Sequence, residues 1–312
     1  MKVLEVLIAG LLTTVQDLGR EGFGPMGVSP SGAADPLALR LGNRLVGNPE
    51  GAAGLEMTLL GGTFAFPEGA ILALTGADFG ATLDGAAVPL WTSFQAATGQ
   101  TLRTGATRSG ARCYLCVRGG IEVKPFLGSA STHLLSGLGG HEGRALQKGD
   151  LLMIGRATRS FHQKKIAAKS LQRLTPRKVL RVTPGPQRGA FPARALKVLY
   201  GSAHRVSEES NRMGLRLEGP SFPAGVHEEM LTEGVSLGAV QITPAGQPII
   251  LFVEQQTTGG YAKIANVISA DFSSLGQLRP RDEIRFEPVD WESARALLLE
   301  QEVLLASDDL IM

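Results

Sequence analysis

The chain has 312 residues, 43% of them hydrophobic, 19% charged and 5% aromatic, and a net charge of +2. That is core enough for two domains or one large one, with no overall basic excess to hold nucleic acid. Glycine is the outlier at 40 residues, against a usual share of about 7%; with no Gly-X-Y period it excludes collagen and points to tight turns and bulges between short strands.

In chain order, short apolar or alternating runs bounded by Gly, Pro, Asn or Asp read as strands. The first half holds Lys2–Ile8, Gly62–Phe66, Ala70–Leu74, Ala81–Leu83, Cys113–Val117 and Leu151–Ile154; the second holds Val179–Val182, Leu215–Leu217, Ala239–Thr243, Ile249–Val253 and Glu283–Phe286. The opening apolar stretch mimics a short secretion signal, but Glu5 interrupts it and no small-x-small cleavage site leads to a new domain start. It reads as strand, Ala9-Gly10 turn, strand. No apolar run reaches about 18 residues, so no membrane span is expected, and the protein is expected in the cytoplasm. Helices are few. One is expected from Ala33 to Leu45, with Asp35 as N-cap, Pro36 at the first helical position, and Leu37, Leu41 and Leu45 on one face. A second opens at Asp290, where Trp291, Ala294, Leu297 and Leu298 form an apolar stripe; short helices are expected over Pro192–Leu199 and Ser207–Asn211.

The two halves echo each other. Leu146 to Ile154 resembles Leu278 to Phe286, each a turn with an aspartate (Asp150, Asp282) feeding a strand. Between them Arg156–Lys178 is polar, basic and without strand alternation. The expected organisation is therefore a β domain over residues 1–155, a basic linker over 156–178, and a second β domain with a C-terminal helix over 179–312. Residues 151–207 carry thirteen Lys or Arg and no acidic residue, while 206–312 carry seven basic and seventeen acidic ones. A basic linker beside an acidic domain explains this, and a docking surface for an acidic partner is the alternative. Cys113 and Cys116, three apart in a strand, point to opposite faces and read as buried thiols in a reducing compartment.

Two motifs fail in context. Gly22-Phe-Gly24-Pro-Met-Gly27 has the GxGxxG spacing of a dinucleotide loop, but Pro25 interrupts it and Val28-Ser-Pro-Ser-Gly32 follows as loop, not helix. Gly234-Val-Ser236-Leu-Gly238 has the spacing of a nucleophile elbow, but a strand follows where that elbow needs a helix. The chain has no Gly-Lys dipeptide, hence no Walker A loop, and its five histidines, His227-Glu228-Glu229 included, form no paired metal pattern. No metal site is expected.

Four segments survive. Thr14–Arg20 continuing through Gly27–Asp35 packs Asp17, Arg20, Ser29, Ser31 and Asp35 into a loop ending at a helix N-terminus, which favours carboxylate or phosphate. An N-cap box with an Asp17–Arg20 salt bridge is the structural alternative. Val117–Gly120 with Leu127–Thr132 is the second. Glu209–Gly214 is the third; its Asn211 and Arg212 could clamp a carboxylate or amide, or make an ordinary turn. The fourth is Gln241 with Glu254–Lys263. There Thr257, Thr258, Gly259, Gly260, Tyr261 and Lys263 fall within seven residues. The glycines would let backbone approach a ligand, and Lys263 could stabilise a developing oxyanion or neutralise a carboxylate; a Gly-Gly hairpin with a solvated lysine is the alternative.

In this order the segments VQDLGREGFGPMGVSPSGAAD, NRLVGNPEGAAGLE, VRGGI, LGSAST, SNRMGLRLEG, GAVQITPAGQPIILFVEQQTTGGY and GQLRPRDEIRF resemble the biotin-dependent carboxyltransferase-like, or allophanate hydrolase subunit 2, family over about residues 3–290. Glu254 stands where many relatives carry Asp, Ala262 where many carry Pro, and Ser31–Asp35 lacks a familiar Met. The resemblance implies a mainly β fold of two cyclophilin-like β-barrel domains with a few peripheral helices. It implies a place as the C subunit of an ATP-dependent 5-oxoprolinase, inactive alone, with a B-type subunit of related fold and an A-type subunit for lactam opening. ATP with Mg would be shared with those partners. Lys263, Thr257, Thr258 and Tyr261 become the catalytic candidates. Arg20, Ser29, Ser31, Asp35, Asn211, Arg212, Gln241, Gly259 and Gly260 become candidates for binding the lactam or amide. Biotin enters only under the alternative of a carboxyltransferase subunit acting on urea or an amide. A regulatory member, antagonist of a kinase inhibitor, is the third possibility.

Overall fold

A computed structural model describes residues 2–157, 161–223 and 230–312. The His227-Glu228-Glu229 run, set aside above as a metal pattern, lies outside them. The described strands, in chain order, are β1 (Val3–Ile8), β2 (Leu12–Gln16), β3 (Gly54–Thr58), β4 (Thr63–Phe66), β5 (Ala70–Asp78), β6 (Thr82–Leu83), β7 (Ala86–Ala87), β8 (Ser93–Ala96), β9 (Gln100–Arg103), β10 (Ser109–Val117), β11 (Ile121–Glu122) and β12 (Leu151–Ile154). They continue with β13 (Val179–Pro184), β14 (His204–Val206), β15 (Gly214–Glu218), β16 (Glu233–Gly234), β17 (Ala239–Ile242), β18 (Pro248–Leu251), β19 (Thr258–Gly259), β20 (Lys263–Val267) and β21 (Glu283–Pro288). The helices are α1 (Pro36–Val46), α2 (Ala168–Arg173), α3 (Ala193–Gly201), α4 (Phe272–Gly276) and α5 (Trp291–Ala306). The fold is mainly β, with 20% helix. Each strand expected from the sequence has a counterpart, usually one to four residues longer or shorter.

The chain forms two compact units: Met1–Arg20, Ser31–Arg173 and Asp308–Met312 make one, Glu21–Pro30 and Leu174–Ser307 the other. Much of the basic segment expected as a linker is tied into the first unit. Lys164 accepts from the Ser93 amide at 2.8 Å, and the Lys165 amide donates to Met312 at 2.8 Å.

In the first unit, five strands run in the order β2-β3-β10-β5-β8 and seven in the order β11-β12-β1-β4-β9-β6-β7. Alternation explains the inward set: Leu4 and Val6 of β1, Phe64 and Phe66 of β4 and Leu152 and Ile154 of β12 join Leu55, Met57, Leu72, Leu74 and Leu115 in one core. β10, paired on both edges, is buried from Ala111 to Val117. Cys113 and Cys116 are unpaired thiols on opposite faces, one in the core and the other facing the Leu39 carbonyl at 3.7 Å. Burial pushes both thiols up, so neither is a ready nucleophile. Asp35 caps α1 by accepting from Ala38 N–H at 3.0 Å, with Pro36 behind it, as the sequence requires.

The second unit is a closed barrel of order β13-β20-β17-β18-β15-β14-β21, sealed by parallel pairing of β21 on β13. At Gly185, just past β13, the chain crosses β20 so closely that a Cβ would fall 2.3 Å from the Lys263 carbonyl. Asp290 caps α5 as expected, accepting from Ser293 N–H at 2.7 Å. The expected apolar stripe is only loosely covered, and Trp291 is exposed. Ser207–Asn211 is a turn, not the expected helix. Asn211 Oδ1 accepts from Met213 N–H at 2.8 Å, the local bond by which Asn competes with helix. The echo between the halves is structural: Asp150 accepts from Gln147 N–H at 2.8 Å and Asp282 from Arg279 N–H at 2.9 Å, each holding the turn before its strand.

His204 is fully buried between Phe222 and Phe286, with ring centroids 6.1 and 5.5 Å away. Desolvation lowers its pKa, and the Val198 and Leu199 backbone offsets this only in part. The unfolded chain takes up that proton near pH 6.5. The neutral ring's contribution to stability is therefore complete above about pH 6.5 and lost as pH falls below it. Thermal unfolding between about pH 7.5 and pH 5 should show Tm falling more steeply for wild type than for His204→Leu; parallel slopes would contradict this.

Candidate functional site

In the first unit the Thr14–Arg20 and Ser31–Asp35 stretches gather about Asp17. Its carboxylate accepts from Gly19 N–H (2.8 Å), Ala130 N–H (2.7 Å), Ser129 Oγ (2.6 Å) and Ser131 Oγ (2.5 Å). The Asp17–Arg20 salt bridge weighed from spacing does not form, because those donors surround the carboxylate. Arg20, nearly fully buried, donates to the Ser131 and Phe126 carbonyls and lies over the Phe126 ring at 5.6 Å. Ser31 Oγ donates to the Thr132 carbonyl at 2.7 Å. Beside it, buried Glu56 accepts from Ala34 N–H (2.8 Å) and Tyr114 Oη (2.6 Å) and lies 3.6 Å from Arg112 Nε. Burial first, and then the Glu56 charge, raise the Tyr114 phenol well above its ordinary range. Arg20, Ser31 and Asp35 are thus brought together, but with their polar groups turned to the protein's own backbone. Ser29 is buried and falls in the second unit.

In the second unit the Glu254–Lys263 segment leaves the barrel at β18 and re-enters it at β20. Arg212 and Glu254 form an ion pair with both side chains buried, and the Glu254 amide donates to the Arg212 carbonyl at 2.8 Å. Asn211 is exposed, its Oδ1 holding the adjacent turn. β19 pairs with β16, Glu233 opposite Gly259 and Gly234 opposite Thr258, and Val235 N–H donates to Thr257 at 3.1 Å. Gln241, buried on β17, stands in register with Lys263 on β20 beside a bulge. Its amide donates to the Tyr261 carbonyl at 3.3 Å. A Cβ on Gly259 would fall 2.9 Å from Gln241 Nε2, so glycine there keeps the loop against the amide. Gly260 and the Tyr261 ring face solvent.

Lys263 is only 4% exposed. Its ammonium is paired with Glu233, which stands at the surface. Gln187 Nε2 donates to the same Glu233 Oε1 at 2.6 Å. These two donors, Lys263 first, lower the Glu233 pKa below the usual carboxylate range. Gly259, the Tyr261 carbonyl, Gln241 and Lys263 are therefore brought together, and Thr257 and Thr258 lie on the adjoining β16–β19 pair, whereas Asn211 holds a separate turn and Arg212 is engaged by Glu254. Sequence reading missed Glu233 and Gln187. Neither sits in a dense polar segment, and only the β16–β19 pairing and the Gly185 crossing bring them to Lys263.

GxGxxG forms a 3-10 turn at Gly24–Met26, and Ser236 lies before β17 with its Oγ on Asn266 Oδ1 at 3.0 Å. Neither makes a nucleotide loop or nucleophile elbow. Among the described residues no group of three or more His, Cys, Asp or Glu side chains is placed to hold a metal, and no helix is long and apolar enough to cross a membrane.

A family model described as a carboxyltransferase domain, subdomain A and B, matches residues 26–288. The C subunit of the 5-oxoprolinase of Escherichia coli (strain K12) is 41% identical over 294 residues, covering 94% of this chain and 93% of that protein. Its namesake from Haemophilus influenzae is 37% identical over 303 residues, covering 97% and 96%. The crystal structure of the K. lactis urea amidolyase has a TM-score of 0.90 at 31% identity, covering 99% of this chain and 21% of that one.

The Arg212–Glu254 pair generates a prediction. Removing one partner leaves a buried charge uncompensated. Arg212→Met should cost about 3–5 kcal/mol in urea unfolding, and Arg212→Met with Glu254→Gln clearly less. Equal losses would mean the pair is not coupled.

Proposed function

The chain belongs to the carboxyltransferase domain family, subdomains A and B, and we propose that it is the C subunit of an ATP-dependent 5-oxoprolinase that opens 5-oxo-L-proline to L-glutamate. One observation carries this reading beyond resemblance. A buried ammonium, Lys263, and a buried amide, Gln241, stand in register on neighbouring barrel strands, with the Gly259 backbone against the amide. Opening a lactam develops negative charge on the carbonyl oxygen, and fixed donors in a poorly solvated setting stabilise that charge best. Lys263 is the principal cation of the site in this proposal, meeting a negatively charged oxygen of the substrate. Thr257 and Thr258 supply further donors, Gly259 and Gln241 orient the loop, and the Tyr261 ring covers the lactam's apolar edge. Arg20, Ser29, Ser31, Asp35, Asn211, Arg212 and Gly260 act in shaping the binding segments. The hydrogen bonds already taken up by Arg20 and Arg212 favour that positioning role over direct capture of a carboxylate.

The described residues of this chain do not fit a nucleotide's phosphates. GxGxxG is a turn, there is no Gly-Lys loop, and no carboxylate cluster stands ready for Mg. ATP and its metal are accordingly assigned to the partner subunits, a B-type chain of related fold and an A-type chain, and this chain is inactive without them. The complex is proposed to work in the cytoplasm.

The likeness to urea amidolyase favours a second reading, a carboxyltransferase subunit served by a separate biotin carrier. The two are separated by reconstituting the chain with the partner subunits that co-purify from its host and measuring glutamate. ATP-dependent glutamate is expected; its absence with all partners present overturns the first reading. In the active complex Lys263→Met should lower kcat by about 10²–10³ with assembly intact by size-exclusion chromatography. Unchanged turnover would remove Lys263 from the chemistry.

A further inference from the structure

Lys263 and Gln187 hold each other. The Lys263 amide donates to Gln187 Oε1 at 3.1 Å, and the Gln187 amide donates to the Lys263 carbonyl at 3.3 Å. With those bonds made, the Lys263 ammonium and Gln187 Nε2 converge on one atom, Glu233 Oε1. The donors belong to the barrel strand β20 and to the crossing that follows β13. The acceptor comes from the two-residue strand β16 and is 45% exposed, against 5% for the lysine side chain. The donors are thus fixed without Glu233, and the acceptor stands where solvent, or a ligand, reaches it. A buried ammonium beside an amide N–H is also what a carboxylate or developing oxyanion requires.

We propose that the Lys263–Gln187 donor pair is a seat for one anionic oxygen of the ligand, that Glu233 fills the seat in the resting protein, and that the ligand's own anionic group displaces it. The ligand class, a lactam bearing a carboxylate, rests on the 5-oxoprolinase reading; the seat itself does not. Glu233 keeps the buried ammonium paired while no ligand is present, since an unpaired buried charge is costly. A pair with one partner facing water is weak and readily exchanged, and a buried ammonium beside an amide N–H favours a negatively charged oxygen over a neutral one. The preference for anionic ligands lies in the donor pair, and Glu233 is the group that such a ligand displaces.

Calorimetric binding of 5-oxo-L-proline, neutral 2-pyrrolidinone and inorganic phosphate to the full chain tests this. The variants are Glu233→Gln, Glu233→Ala and Lys263→Met, each checked by circular dichroism to be folded at the assay temperature. Both Glu233 variants should bind the anionic probes about fivefold more tightly than wild type, the gain expected from removing a weak competing pair. 2-Pyrrolidinone should show no gain, and Lys263→Met should lose anion binding about tenfold or more. Anionic probes that bind the Glu233 variants no more tightly than wild type overturn the proposal, as does an equal gain for 2-pyrrolidinone. Tighter phosphate binding without any binding of 5-oxo-L-proline upholds the seat and overturns the substrate reading.

Discussion

Strand β20 is hydrogen-bonded on both edges, by β13 and by β17, and this double pairing decides where Lys263 can point. A strand paired on both sides of a closed barrel has no freedom of register, and a slip of one residue would turn every side chain to the other face. Asn266 is opposite Thr183 on one edge and Ala239 on the other. At the β17 edge the bulge between Val240 and Gln241 shifts the count by one. That shift sets the Gln241 amide opposite Lys263 rather than beside it, an example of a bulge re-aiming a side chain next to a site. On the β13 edge the bare backbone of Gly185 lets the chain cross near the Lys263 carbonyl, which delivers Gln187. Donor positions thus follow from barrel closure, not from the loop that carries the polar motif.

Three buried carboxylates among the described residues are matched inside the protein. Glu56 is met by Tyr114, Arg112 and the Ala34 amide; Asp271 by Arg181; Glu254 by Arg212. In each of these both partners are largely withdrawn from water, the arrangement that a buried charge demands. Such pairs hold loops in register, and their loss is paid in stability. Lys263 is arranged differently because its partner Glu233 lies at the surface, as Lys178 does for Asp282. The barrel therefore maintains a buried cation whose counter-charge can be exchanged, and that asymmetry links the fold to a ligand-binding role.

The β architecture was legible in the sequence because period-two burial leaves a direct trace, as in Leu4 and Val6 or Ile284 and Phe286. So was the echo of the two halves, because one aspartate does the same work in each: Asp150 and Asp282 both hold a turn three residues back. The caps at Asp35 and Asp290 were legible for the same local reason. What failed was what depends on distant chain. Asp17 and Arg20 are three apart, yet Asp17 is claimed by Ser129, Ala130 and Ser131 more than a hundred residues away. The Ser207–Asn211 helix lost to the Asn211 turn because β15 must begin at Gly214. Glu233 and Gln187, 30 and 76 residues from Lys263, carry no local signature, so no reading of the TTGGY segment alone could have found them.

Lys263, at the barrel's polar loop, is held to meet the substrate's negatively charged oxygen, and everything proposed for the site turns on that contact. A crystal structure of the assembled complex with 5-oxo-L-proline bound addresses it directly. The expected result is an oxygen of the ligand within hydrogen-bond distance of Lys263 Nζ and Gln187 Nε2, with Glu233 withdrawn from both. Ligand bound elsewhere in the complex, with the Lys263–Glu233 pair intact, would contradict it.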